Sequence, residues 1–348
     1  MSYVHPLGPE ADPRFKSRTY EPGAKANGAW SDARSASRAR DGGGEESAPP
    51  KLRVDTLEEF VTLDLPRREH VLAPIIPLRG LAMLFAGRGV GKTHVGLGIA
   101  YAVASGGKFL RWHASVPRRI LYVDGEMPAE LFQERERALL ASAPMRPPSA
   151  DYFRTVLMDR QELGTSLNLA LAPHQLAVEQ AAAGSDLIVI DNLSTLVSGG
   201  RENDAESWDA MQGWLLHLRR SGMSVLLVHH AGRGGEARGT SKREDVLDTV
   251  IQLRRPEDYD PDQGARFEVH LTKARGVFGD DALPFEARLN VVNGADHWTC
   301  TTLRDREMDQ VEEMTREKMA VREIAEATGL SKSTVNRMQA KLREQGRL

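Results

Sequence analysis

Leu81-Ala82-Met83-Leu84-Phe85-Ala86-Gly87-Arg88-Gly89-Val90-Gly91-Lys92-Thr93-His94 is the stretch on which the fold turns. A short continuous apolar run, Leu81 to Phe85, is the pattern of a strand buried on both faces. It breaks into a glycine-rich turn, and helical spacing takes over from Gly91 to about Ser105. Glycines let backbone N–H groups turn inward, and the following helix presents the positive end of its dipole to whatever lies in the turn. The result is an anion cradle of the pattern G-x-x-x-x-G-K-[ST], with Ala86 in place of the first glycine. Ala86, Gly87, Arg88, Gly89, Val90, Gly91, Lys92, Thr93 and His94 are therefore the candidate ATP contacts. Lys92 would reach the β- and γ-phosphates, and the Thr93 hydroxyl would ligate Mg2+.

Outward from this loop, apolar runs alternate with amphipathic stretches. Arg119 to Asp124, Asp186 to Asp191 and Ser224 to His229 read as strands, and Ala129 to Leu140 and Asn203 to Arg220 as helices. Trp208, Met211, Leu215 and Leu218 recur at helical spacing. Strands alternating with helices predict an α/β domain with a mostly parallel sheet covered on both faces. After Val246 the strands, including Arg266 to Leu271, become alternating and hairpin-like, which predicts antiparallel strands at one edge. Residues 1–50 are rich in Gly, Ser, Arg, Pro and Glu, with seven Lys/Arg against seven Asp/Glu, and are expected to be a disordered tail. Thr56 to Phe60 reads as a short helix at the start of the folded chain. The predicted order is tail 1–50, ATPase domain 51–300, linker 301–313 and a helical segment 314–348.

Hydrolysis of a nucleotide needs a carboxylate in the metal shell and a base or orienter for the attacking water. Asp191 closes an apolar strand and suits the first role. Asn192 follows it, where many P-loop proteins place the base. Tyr122-Val123-Asp124-Gly125-Glu126-Met127-Pro128 supplies two further carboxylates, Glu126 and Asp124.

Taken in order, four motifs resemble the RecA/DnaB superfamily of hexameric motor ATPases, and most closely the RepA family of plasmid replicative helicases. They are Ala86 to Thr93, Val123 to Pro128, Ile188-Val189-Ile190-Asp191-Asn192 and Val228-His229-His230-Ala231-Gly232-Arg233. The resemblance spans about residues 70–290. It implies a RecA-like core, Glu126 as the water-activating residue, and His230 (or His229) sensing the γ-phosphate. It also implies that Arg275, with Lys273 beside it, enters a neighbouring subunit's nucleotide site, with Arg238 as the alternative. A homo-oligomeric ring, a hexamer in this superfamily, with single-stranded DNA in its central channel would follow. Arg233, Arg238, Lys242 and Arg243, set among glycines, form a basic segment suited to backbone phosphates.

The C-terminal 35 residues, 314–348, carry eight Lys/Arg and four Glu, a local net charge of +4. Val321 to Ser331 reads as helix, tight turn and a second helix capped by Ser331, the helix-turn-helix pattern found in resolvases and many bacterial regulators. Ala325, Gly329 and Val335 fall where that motif needs a small residue, a left-handed turn residue and a core anchor. The second helix would offer Lys332, Ser333, Thr334, Asn336 and Arg337 to a duplex major groove. A helical hairpin for protein contact is the alternative.

The single cysteine, Cys300, excludes an intramolecular disulfide framework and a Cys-cluster zinc site. No apolar run approaches a membrane span and no apolar signal opens the chain, so a cytoplasmic protein is expected, without a membrane partner. Two functions fit: an ATP-driven DNA motor of the replicative-helicase kind from a plasmid, phage or other mobile element, and an ATP-dependent DNA-binding regulator or helicase loader. A small-molecule kinase fits poorly, since no acceptor-site lid or second arginine cluster is evident.

Overall fold

The computed structural model describes residues 51–65, 68–197, 205–231, 242–292 and 295–348, with only the backbone for residues 205–207 and 242–243. The expected tail, Arg233 and Arg238 lie outside these residues, as do the side chains of Lys242 and Arg243. The chain divides into two units, Met1–Leu65 and Pro66–Leu348. The described part of the first holds one helix, Leu57–Val61, started by a capping box in which Thr56 and Glu59 satisfy each other's backbone N–H groups.

In the second unit nine strands form one sheet among the described residues. They are β1 (Leu81–Ala86), β2 (Ile120–Asp124), β3 (Phe153–Leu157), β4 (Leu187–Asp191), β5 (Ser224–His230), β6 (Thr249–Arg254), β7 (Arg266–Ala274), β8 (Phe285–Val292) and β9 (Ala295–Thr302). Their order is β9-β8-β7-β6-β1-β5-β4-β2-β3. From β6 to β3 every neighbouring pair is parallel. From β6 to β9 every pair is antiparallel. The fold is α/β with a RecA-like core, and the antiparallel edge lies where the alternating pattern placed it. Thr249–Arg254 differs: it is the last parallel strand, buried over its first five residues, which is why it reads as apolar rather than alternating.

β1, β2 and β4 are buried at every position, so both faces of the central sheet are covered. Helix α1 (Lys92–Ser105) is enclosed on almost all sides and packs on the face carrying Leu84, Tyr122, Val189 and Leu226. Helix α2 (Ala129–Ser142) follows β2, and α3 (Ala172–Ala181) precedes β4. A short helix, α4 (Leu193–Leu196), follows β4 directly. Helix α5 (Ala205–Arg220) lies against β5 and buries Trp208, Met211, Leu215 and Leu218, the residues picked out by spacing.

The chain then leaves the sheet through α6 (Leu303–Arg316), α7 (Val321–Thr328) and α8 (Lys332–Glu344). The stretch read as a linker is mostly helix. Thr302 caps α6, and Met308 and Val311 point into an apolar core, so its charges decorate the outer face of a packed helix. That core is completed by Ile324, Ala325, Val335, Met338 and Leu342. Gly329 ends α7 at φ 69°, and the Ser331 hydroxyl accepts the Thr334 N–H at 3.2 Å to start α8.

Candidate nucleotide site

β1 ends where the loop 87–91 begins, and the loop needs backbone that only glycine adopts without strain: Gly89 has φ 73° and Gly91 φ 120°. The amides that follow open α1. A cavity of about 590 Å3 lies against this loop, at the C-terminal ends of the parallel strands. Arg88 to His94 line it, joined by Asp124 and Glu126 from the end of β2, Asp191 from β4 and His230 from β5. Ala86 and Gly87 stand behind the lining, and their carbonyls accept from the Lys92 ammonium at 3.1 and 2.8 Å. Lys92 is only 7% exposed. Burial lowers its pKa, opposed by the carboxylates of Asp191 and Glu126.

Asp191 is 3% exposed and accepts the Tyr122 hydroxyl at 2.7 Å. Burial pushes its carboxyl up, while hydrogen bonds from Tyr122 and Thr93 and the charge of Lys92 pull it down. A buried carboxylate bonded to the Thr93 hydroxyl is a pair of hard oxygen donors, the chemistry that suits Mg2+. No set of three His, Cys, Asp or Glu side chains among the described residues could hold a metal alone. A cation here would need oxygens from phosphates and water, which is how Mg2+ is usually held at nucleotides.

The two candidate bases occupy different environments. Asp124 is 2% exposed, and one of its oxygens accepts the N–H groups of Glu126 and Met127 at 3.0 and 2.7 Å. Its carboxyl is pushed up to about 6, mainly by burial and despite those bonds. Asp124 thus shapes the turn that carries Glu126. The Glu126 side chain is 58% exposed and reaches across two strands. It accepts from the Asn192 side-chain amide and lies 3.5 Å from Nε2 of His230. Burial first, then Lys92, lowers the His230 pKa, so the ring is neutral near pH 7. His229 is fully buried and does not line the cavity. His94 is neutral too, its pKa lowered to about 4 by burial and the nearby charge of Arg135.

Sequence reading missed five contributors. Asn192 is the partner of Glu126 and also caps α4, its Oδ1 accepting from Thr195 N–H. Arg135, on α2, lines the cavity, as do Tyr259, Gly264 and Ala265 between β6 and β7. A polar residue directly after the β4 aspartate was the one available hint for Asn192.

Compared with known protein families, residues 47–236 match the AAA domain. The chain belongs to the AAA domain family. Membership sets the cavity in a P-loop ATPase family, whose members bind nucleotide, usually with Mg2+. Residues 311–348, the end of α6 with α7 and α8, match the IclR helix-turn-helix domain. Among curated proteins, none matches the chain.

Lys273 and Arg275 sit elsewhere. Ala274 pairs with Thr249, and Thr249 with Ala82, so the two cations lie beside the N-terminal ends of the parallel strands, away from this chain's own loop. Lys273 donates to the Glu244 carbonyl and Arg275 to that of Asp245 at 3.0 Å, both in the short helix Lys242–Asp245. In α8, Lys332, Ser333, Asn336 and Arg337 are exposed and Thr334 is half-buried. No helix among the described residues is long and apolar enough to cross a membrane.

Proposed function

We propose that the chain is an ATP-hydrolysing motor acting on DNA, a ring-forming replicative helicase of the RepA kind from a plasmid, phage or other mobile element, working in the cytoplasm. The observation that carries this reading is the meeting of Glu126, Asn192 and His230 from three strands beside the loop 87–93. In this reading Lys92 would hold the β- and γ-phosphates, and Thr93 and Asp191 would hold Mg2+, which would supply neutralisation of phosphate charge. Glu126 orients and deprotonates the attacking water, and His230 reports the γ-phosphate to the chain that follows β5. Arg275, with Lys273, serves a neighbouring copy, where a guanidinium stabilises charge spreading over the transferred phosphoryl group. Their place far from the chain's own loop favours action in trans over action in cis. Arg238 is the alternative, and Arg233, Lys242 and Arg243 are proposed contacts to single-stranded DNA.

The IclR helix-turn-helix match favours a second reading, an ATP-dependent DNA-binding regulator or loader that uses Lys332, Ser333, Thr334, Asn336 and Arg337 on duplex DNA. Strand displacement on a forked duplex separates the two. A motor displaces the strand with ATP and loses that activity on Arg275→Ala. A regulator binds the duplex, hydrolyses ATP and displaces nothing.

A further inference from the structure

Residues 255–265, between β6 and β7, are held at two places. On one side Arg255 donates to the Gly89 carbonyl of the phosphate loop at 3.0 Å and lies over the Tyr259 ring at 4.0 Å. Tyr259, Gly264 and Ala265 line the nucleotide cavity. On the other side Asp258, next to Tyr259, pairs with Arg306 of α6 at 2.7 Å. That helix supplies Met308 and Val311 to the core of the helix-turn-helix.

The segment is tied internally. Asp260 caps the single helical turn Pro261–Gln263, the Tyr259 hydroxyl donates to the Gly264 carbonyl at 2.8 Å, and Arg266 donates to Gln263 at 2.8 Å. A loop bonded this densely shifts as a unit rather than residue by residue. Arg306 is shared: Glu286 at 3.0 Å and Glu268 at 3.6 Å hold it to the sheet, and Asp258 holds it to the loop. The Asp258 pair is therefore the contact that a ligand touching Tyr259, or drawing the Gly89 backbone inward, can reach.

We propose that residues 255–265 are a strap through which nucleotide in the cavity controls duplex binding by the C-terminal segment, with the Asp258–Arg306 pair as its output. This rests on the reading above that the cavity takes ATP and that α8 meets duplex DNA. A ligand shifts a conformational equilibrium only by binding its two states differently. The strap provides two such states, seated on Arg306 or released from it. Coupling of this kind is reciprocal: duplex must change nucleotide affinity by the factor with which nucleotide changes duplex affinity.

The test uses a fluorescent duplex selected from a random pool by the full chain, with anisotropy titrations without nucleotide and with ATPγS and Mg2+. The wild type should change its duplex Kd by about 5-fold or more when ATPγS is added, and its ATPγS Kd by the same factor when duplex is added. Asp258 is 55% exposed and also accepts from Arg266 at 3.1 Å, so Asp258→Asn keeps an oxygen for Arg266 while losing the charge that holds Arg306. It should bind duplex with the affinity of the ATPγS-loaded wild type whether or not ATPγS is present, a coupling factor near 1. Arg306→Gln should match it, and the double variant should lose nothing further. Duplex binding indifferent to nucleotide in the wild type, or full coupling in Asp258→Asn, would overturn the strap. Failure to select any duplex would instead bring down the reading of the C-terminal segment, and the strap with it. Amide exchange of residues 303–316 gives a DNA-free check: ATPγS should change it in the wild type and not in Asp258→Asn.

Discussion

The cavity at the end of β1 gathers residues as distant in sequence as 88 and 265 and buries several of their charges, whereas residues 303–348 build their core from near neighbours and leave Lys332, Asn336 and Arg337 exposed. The first region depends on the whole sheet for its geometry. The second is local, held by seven buried apolar side chains and two caps. In the cavity a change of charge alters chemistry while the sheet still folds. In the C-terminal segment a lost apolar contact loosens the surface itself, because the three helices share one small core.

The sharpest way to break this contrast is Glu126→Gln. It should lower ATP turnover by about 10²–10⁴-fold, the scale of losing a positioned base, while a fluorescent nucleotide still binds. Unchanged turnover would pass the role to Asp124. On the other side of the comparison, Ile324 is fully buried in the small core, and Ile324→Ala should cost about 2–5 kcal/mol. Thermal melting and amide exchange should show residues 303–348 loosened and duplex binding gone, with nucleotide binding intact. Loss of both together would mean the regions do not fold separably.

The smallest expected effect concerns Asp124. Its folded carboxyl titrates near 6, above the ordinary value of 3.8, so the stability it contributes is full below pH 4 and disappears as pH rises through 6. An Asn at this position keeps an acceptor for the two N–H groups and cannot ionise. Asp124→Asn should therefore melt higher than the wild type at pH 7, with the gap closing toward pH 4. A constant gap would show that burial is not what raises Asp124.

How much of each region could be read from residues follows from the same contrast. Strand, glycine loop and helix at 81–105 are constrained by adjacent residues, and the helix-turn-helix by spacing within a few turns, so both were legible. Glu126 and His230 were placed by motif order, and the structure brings them to 3.5 Å. Asn192, Arg135 and Tyr259 were not, because their importance comes only from strands and loops that meet across the sheet. Phe153–Leu157 escaped because an edge strand is only partly buried and lacks a clean apolar run. Residues 301–313 read as a linker because a helix with buried Met308 and Val311 and many outward charges resembles a solvated stretch until its partners are known.

The central claim is that the cavity beside Gly87–Thr93 turns over ATP, with the Lys92 ammonium on the phosphates. Steady-state phosphate release with ATP and Mg2+, measured for the full chain beside Lys92→Ala, tests it most directly. The account predicts turnover in the wild type and a loss of about 10²-fold or more in the variant, the scale of removing one preorganised group from a transition state. Equal turnover in the two proteins would contradict it.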